Sequence, residues 1–432
     1  NELAQFYKDI MKSKIDGLDF SKSETKEELD ILRDICKKCT DAKNIKNICS
    51  LIYHKIQKDN IEWDSNPYLF CFNNRVWDLK NKCWSNPAPS NYMRISAGYD
   101  WIEPTEEQIK TVKRIICQIL PREDERKLYL IILSTGLVGR TLQNFIIATG
   151  KGRNGKGCIN DFMRAVAGNY SYILSSSVIQ NDIKVGSNPD LANMQDKRFC
   201  VTREPDKNKK INGCFIKELT GGNEISARTH YSSNTKTNIK ITFVFECNKA
   251  PMIGDDVNGN AYNDRIINIG FGSYFTEDEE ELDDASYVYK SDKYYVSAEF
   301  YNEHKCAFFK ILTDYAYEYI ANNLEIKRYI PKHIKERSEK YVLDSNEVFT
   351  WFNDNYSKID EDDGNVKFVS IKDIYLEFKQ TDLFHNFTKE EKRAMNEKNF
   401  KELLTGHRLI FRNYREIYSF TINGCSKMVR NV

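Results

Sequence analysis

Phe145-Ile146-Ile147-Ala148-Thr149-Gly150-Lys151-Gly152-Arg153-Asn154-Gly155-Lys156-Gly157-Cys158 is the stretch that decides the fold. Phe145–Ala148 is an apolar run of strand length. Gly150, Gly152 and Gly155 let the backbone curl with its N–H groups turned toward anionic oxygens. Ile159, Phe162, Met163 and Val166 then recur at helical spacing and Gly168 supplies a stop, so bound phosphates would lie at a helix N-terminus. The Gly-x4-Gly-Lys spacing between a strand and a helix predicts a nucleotide-binding loop. Gly150, Lys151, Gly152, Arg153, Asn154, Gly155, Lys156, Gly157 and Cys158 would surround the phosphates, with Lys156 reaching the β/γ-phosphates as a point charge. ATP or another nucleoside triphosphate, with Mg²⁺, is the expected ligand. The residue after the lysine is Gly157, where such loops usually carry a Ser or Thr for Mg²⁺, so the metal is expected to lean on other groups and on water.

The bulk properties frame this reading. The chain of 432 residues has room for roughly two to four domains, and 41% hydrophobic with 29% charged residues is ordinary for a soluble globular protein. A net charge of +1 excludes a global basic field, so a nucleic-acid site has to be a local groove or channel. No apolar run reaches the ~18 residues of a membrane span, the N-terminus lacks a signal-peptide pattern, and no membrane partner is expected. The first residue, Asn1, is not Met, as expected for part of a longer protein. Twelve cysteines without a secretory signal suit a reducing compartment. Cys36-Lys37-Lys38-Cys39 has zinc-knuckle spacing with Cys49 nearby; no second pair follows and Asp30–Thr40 reads as helix, which favours ordinary thiols.

Along the chain, residues 1–60 read as helical and charged. Residues 61–103 change character, with apolar runs on either side of an Asn73-Asn74 turn. Pro104-Thr105-Glu106-Glu107 reads as a helix start, with helical patterning to Leu120 and again from Asp124 to Leu133. The nucleotide core is expected over about 135–275. An acidic, Tyr-rich insert, Glu277–Lys290, precedes helical segments at 296–323 and 332–343. The last stretch mixes helices (Val348–Tyr356, Ile371–Phe378, Asn399–Leu404) with strand-like Leu409–Phe411 and Ile417–Ile422, an order that suits a winged helix.

A P-loop ATPase needs further strands presenting groups beside the γ-phosphate. Phe199–Thr202 is one such strand, ending at Arg203-Glu204-Pro205, where Glu204 can polarise the attacking water or hold the metal through water; the plainer reading is a strand-end ion pair. Ile239, Ile241, Phe243 and Phe245 alternate as in a central strand ending at Glu246-Cys247-Asn248. Asn248 can orient the lytic water or, more simply, cap a turn before Pro251. Asp264-Arg265 opens another strand. Arg265 can stabilise γ-phosphate charge in a neighbouring subunit, against the reading of a surface Asp–Arg pair.

Together with Lys217-x2-Thr220-Gly221-Gly222, these motifs resemble those of the superfamily 3 helicases, AAA+ ring motors of DNA viruses, and more closely the helicase part of the poxvirus primase–helicase family. Phe72–Leu79 with Tyr99-Asp100 is similar to that family's N-terminal collar block. Ala307–Leu312 and Glu339–Asp344 are similar to parts of its C-terminal region. The resemblance implies an α/β AAA+ P-loop ATPase core at 104–330, an N-terminal helical collar domain at 1–103 and a C-terminal winged-helix-like domain at 331–432. It makes Lys156 the Walker A lysine, Glu204 the Walker B acid and water-mediated metal contact, Asn248 sensor 1, and Arg265 a trans-acting arginine finger. Glu224–Tyr231 and Ser232–Thr237 are similar to the family's pore hairpin, in which Arg228, His230, Tyr231 and Lys236 would grip DNA by phosphate contact and base stacking; a polar surface hairpin is the alternative. Arg203 departs from the acid pair of many relatives.

The implied protein is an ATP-dependent, ring-forming viral DNA helicase. Its partners would be single-stranded and forked DNA, five further copies in a homo-hexamer, an upstream primase domain and other viral replication proteins, in the host cell cytoplasm. The alternatives are an AAA+ remodeller of protein complexes, linked to uncoating, and a nucleotide-gated scaffold without turnover.

Overall fold

The computed structural model describes residues 13, 24–56, 61–181, 189–206, 208–222, 224–227, 235–254, 260–358, 367–406, 418–422 and 425–430. The chain divides into two compact units, Asn1–Trp63 and Asp64–Val432. In the first, helices Glu24–Thr40 and Ala42–Ile56 follow one another. Asp41 separates them: its Oδ1 accepts from the N–H groups of Lys43 and Asn44 at 2.9 and 3.0 Å, an N-cap for the second helix. Cys36 and Cys39 lie on the first of these helices.

The second unit opens with a small antiparallel sheet, β1 (Leu69–Cys71), β2 (Val76–Asp78) and β3 (Cys83–Ser85). Asn73-Asn74 makes the first turn, closed by the Phe72 N–H donating to the Arg75 carbonyl at 2.8 Å. The apolar faces of this sheet do not form a core of their own. Phe72 meets Phe309 with ring centroids 5.0 Å apart, and Trp84 meets Trp101 at 4.8 Å. Arg198, only 4% exposed, ties the sheet to the rest by donating to the Leu69 and Leu137 carbonyls at 2.8 and 2.9 Å. Residues 64–103 thus share one apolar cluster with the helix Ala298–Ala321.

The strands that follow are β4 (Phe145–Thr149), β5 (Ser171–Ile173), β6 (Phe199–Thr202), β7 (Glu224–Ala227), β8 (Thr235–Asn238), β9 (Thr242–Cys247) and β10 (Ile266–Gly270). Five of them form a parallel sheet of order β10-β4-β9-β6-β5, and β7 and β8 form a separate antiparallel hairpin. Every residue of β4, β6 and β9 is buried, as a parallel sheet covered on both faces requires. The two-residue alternation sorts side chains cleanly. Ile146, Ala148, Val201, Val244, Ile267 and Ile269 join one cluster; Phe145, Ile147, Cys200, Phe243, Phe245 and Ile266 join the other. The first face is covered by helices Glu106–Ile119, Glu123–Thr135, Lys156–Ala167 and Ala298–Ala321, the second by Gly213–Thr220 and shorter pieces. The expected helix start is marked by a capping box between Thr105 and Gln108.

Two details depart from the periodicity. The strand read from Ile239 begins at Thr242: the Ile239 and Ile241 carbonyls accept instead from the Thr141 hydroxyl at 2.6 Å and the Leu142 N–H at 3.0 Å, in the turn before β4. The acidic insert supplies a strand, Val288–Lys290, which pairs in parallel with Tyr274–Thr276.

β10 lies at the edge of the sheet, and the helix Lys332–Asp344 packs along it, with the Asn268 N–H donating to Ser338 Oγ at 2.8 Å. A third apolar cluster, including Phe349, Phe352, Phe378 and Phe400, then gathers helices Glu347–Asn355, Ile371–Phe378 and Glu397–Gly406. A four-stranded mixed sheet, Ser357–Lys358, Tyr418–Ile422, Cys425–Arg430 and Lys367–Ser370, accompanies it. The strand-like Leu409–Phe411 lies outside the described residues. Among the described residues, no helix is long and apolar enough to cross a membrane.

Candidate nucleotide-binding site

The loop between β4 and the helix Lys156–Ala167 is shaped by its glycines. Gly152 and Gly155 have φ of +94° and +75°, a region L side chains avoid. At Gly150 a Cβ would stand 1.9 Å from Asn154 Nδ2. Asn154 is only 4% exposed; its Oδ1 accepts from the Lys156 N–H at 3.3 Å, which holds the loop's curve from inside. Lys156 is 8% exposed, and its Nζ donates to the Cys247 carbonyl at 2.7 Å. Burial holds its ammonium below the ordinary value, partly offset by the neighbouring Glu246 carboxylate.

The neighbouring strand ends converge here. β4, β9 and β6 run in register, with Thr149 beside Cys247 and Phe245 beside Thr202. Asn248 follows β9 and is exposed, one residue from the carbonyl that receives Lys156. Glu204 follows β6 by two residues, with φ +51°, a strained backbone for a non-glycine residue. Its carboxylate is exposed and has no hydrogen bond or ion pair among the described residues. The structure therefore gathers Lys156, Glu204 and Asn248 at the carboxyl edge of one sheet. At Gly157 a Cβ would meet nothing within 4 Å, so the place of the missing hydroxyl is open space with room for water.

Sequence reasoning missed the group that fills the space beneath this edge. Glu246, 5% exposed, accepts from Asn160 Nδ2 at 2.6 Å and lies 3.1 Å from Arg203 Nε. Asn160 in turn accepts from the Tyr129 hydroxyl at 2.7 Å, and Arg203 also pairs with Asp161. Burial pushes the Glu246 carboxyl up, against the pull of Arg203 and the Asn160 bond. Arg203, which read as a departure from an acid pair, is thus the counter-ion of two carboxylates. A charged residue inside the apolar run Phe243–Cys247 was the available signal, since glutamates are almost never fully buried unpaired. Arg337 was also missed. From the helix Lys332–Asp344 it donates to Thr149 Oγ1 at 2.8 Å, over Gly270, where a Cβ would come 1.9 Å from its Nη1.

Arg265 lies elsewhere. It precedes β10, beside the first residue of β4, and its Nε donates to Thr220 Oγ1 at 3.1 Å. It lines a cleft of about 760 Å³ with Arg140, Asn144, Asp264 and Lys327. The Lys217–Gly222 motif closes toward the same region: Lys217 Nζ stands 4.7 Å above the Tyr262 ring. Five residues of β10 at roughly 3.3 Å each put Arg265 on the order of 16 Å from the loop of its own chain. Arg228, His230 and Tyr231 lie outside the described residues. Lys236 falls on β8, paired with Ser226.

Residues 2–121 match the D5 N terminal like family. Primase D5 of fowlpox virus is 28% identical over 352 residues, 76% of this chain and 44% of that protein. Putative helicase 184R of invertebrate iridescent virus 6 is 26% identical over 397 residues, 85% of this chain and 40% of that protein. The chain is a homologue of these viral proteins. The uncoating factor of vaccinia virus is 27% identical over 235 residues, 51% of this chain and 29% of its own length. The chain spans less than half the length of the curated relatives it matches. The apo structure of the NrS-1 C terminal region aligns over 84% of this chain and 81% of its own, at 13% identity and a TM-score of 0.42.

Proposed function

We propose that this chain is the motor of an ATP-dependent, ring-forming viral DNA helicase. The observation that carries it is the division of groups between the two edges of one sheet. Lys156, Glu204 and Asn248 stand at the carboxyl edge beside a loop built to wrap phosphates, and Arg265 stands at the amino edge. A γ-phosphate bound in the loop is beyond the reach of its own Arg265. It meets Arg265 only when a second copy presents its amino edge, which makes the site composite; the closed ring, a homo-hexamer, follows from family resemblance.

Each side chain then has a task. Loop N–H groups and the helix N-terminus hold the phosphates, and Lys156 leaves the Cys247 carbonyl for the β/γ oxygens. Asn248 orients the lytic water and Glu204 accepts its hydrogen bond. The neighbour's Arg265 meets the charge that develops on the γ-phosphate. Beside the open space at Gly157, Glu204 would hold Mg²⁺ through water, and the metal would supply charge neutralisation for the phosphate oxygens.

The β7–β8 hairpin is the proposed DNA grip. His230→Ala with Lys236→Ala should leave basal hydrolysis unchanged, abolish stimulation by single-stranded DNA, and abolish unwinding of a forked duplex. Residual DNA affinity should depend less steeply on salt, because fewer counterions are released. Unwinding at the wild-type rate by this variant would refute the assignment. The relatives named uncoating factor support a second reading, remodelling of protein complexes. Wild-type hydrolysis that ignores single-stranded DNA would favour it.

A further inference from the structure

A pocket of about 230 Å³ opens beside the phosphate loop, between the end of the helix Glu106–Ile119 and residues 275–296. Gly155 sets its depth: a Cβ there would come within 2.5 Å of Ile119 Cγ1, so the missing side chain lets loop and helix approach. Two bonds fasten the opposite wall to the loop. The Phe275 N–H donates to the Arg153 carbonyl at 2.7 Å, and the Cys158 thiol donates to the Tyr295 carbonyl at 3.2 Å. Arg114 steadies the Tyr295 ring by donating to its hydroxyl at 2.8 Å. The space is smaller than the roughly 300–1,000 Å³ that encloses a whole drug-sized ligand. With Ile119, Phe275 and Tyr295 on its walls, it suits one flat ring system whose charged tail lies outside, in the loop.

The polar lining is mostly engaged. Glu277 pairs with Lys293, Lys290 pairs with Glu279, and the Asp292 carboxylate caps the Tyr294 N–H. Gln118 differs. Its backbone carbonyl accepts from the Ser273 hydroxyl at 2.6 Å, while its half-buried side-chain amide has no hydrogen-bond partner among the described residues. An amide offers one donor and one acceptor side by side. Adenine presents the complementary pair on its N6/N7 edge, whereas guanine presents two acceptors there.

Resting on the nucleotide-binding reading above, we infer that this pocket holds the base of the bound triphosphate and that Gln118 selects adenine over guanine. The test is competition by ATP, GTP and inorganic tripolyphosphate against a fluorescent ATP analogue on the 432-residue chain. Wild type should bind ATP roughly tenfold or more tighter than GTP, the scale of one bidentate base contact, and tighter than tripolyphosphate. Gln118→Leu should lose roughly tenfold of that preference with tripolyphosphate affinity unchanged, and Gln118→Glu, of the same shape, should narrow the ratio as well. An unchanged ATP-to-GTP ratio in either variant, with a wild-type thermal melt, overturns the proposal. Equal wild-type affinity for ATP and tripolyphosphate overturns the base pocket while leaving the phosphate loop intact. If wild type binds neither, the phosphate-loop reading itself fails and the pocket falls with it.

Discussion

The carboxyl and amino ends of the parallel sheet are made by the same strands and are finished in opposite ways. At the carboxyl end, Lys156, Asn160 and Glu246 are buried and already bonded to one another's neighbours, and glycines hold the loop in a shape other residues resist. At the amino end, Arg265 lines an open cleft of about 760 Å³ with other charged residues. The first end is organised before any ligand arrives; at the second, Arg265 donates to Thr220 Oγ1 and is the cation that the proposed ring would present to a neighbour. A composite site needs both, because preorganisation lowers the cost of meeting the transition state, and a group that arrives with a neighbour can couple turnover to assembly.

The comparison breaks most visibly at Arg265. Arg265→Ala should lower turnover about 10³-fold or more in assembled protein, the scale of an arginine finger, with nucleotide affinity nearly unchanged. Mixing it with Lys156→Ala should restore part of the activity, since some interfaces then keep both groups. No rescue in rings shown to exchange subunits would put Arg265 outside the site. Lys156→Ala alone should cost about 10²–10³ in turnover, as for loss of one preorganised donor, measured by phosphate release. A milder split is expected at Glu204: Glu204→Gln should keep nucleotide binding and lose hydrolysis, and near-wild-type turnover would place the catalytic acid elsewhere.

The smallest effect concerns the buried charges. Arg203→Ala leaves the Glu246 carboxylate without its cation and should cost about 1–3 kcal/mol in urea unfolding. Adding Glu246→Gln should recover much of it. The sign with pH follows from the raised Glu246 pKa, whose ordinary value is 4.5. Losing the pull of Arg203 raises the folded value further, and the cost of ionising a carboxyl held high is absent below the unfolded value, grows as pH rises toward the folded one and is constant above it. The Arg203→Ala deficit should therefore be larger at pH 7 than at pH 4.5. Equal deficits at the two pH values would mean that Arg203 acts through packing alone.

The sheet was legible because its information is local. Phe145–Thr149 followed by three glycines announces a strand, a loop and a helix, and the alternation in Phe243–Phe245 announces a buried strand. The helix start at Thr105 carried its own cap signal. What stayed hidden depends on contacts between distant segments. Nothing near Arg203 says that it faces Asp161 and Glu246, and nothing near Arg337 says that it reaches Thr149. The start of β9 was misjudged for the same reason: Ile239 and Ile241 are as apolar as a strand demands, but their carbonyls are taken by the turn at Thr141-Leu142. Local pattern finds the strands; it does not find the partners of a buried charge.

The helix laid along β10 has a consequence for how copies of such a chain can move. With Ser338 taking the Asn268 N–H in the middle of β10 and the helix Lys332–Asp344 packed along the strand, that rim of the sheet is covered, and the opposite rim, β5, is three residues long. Neighbouring copies therefore cannot be stitched into one continuous ribbon across the β10 rim. In the ring proposed above, copies that met there would do so through side chains, which can slip, tilt and re-engage without tearing a backbone ladder. Contacts of that kind suit a machine whose parts must change their mutual angle at every cycle while each stays rigid within itself.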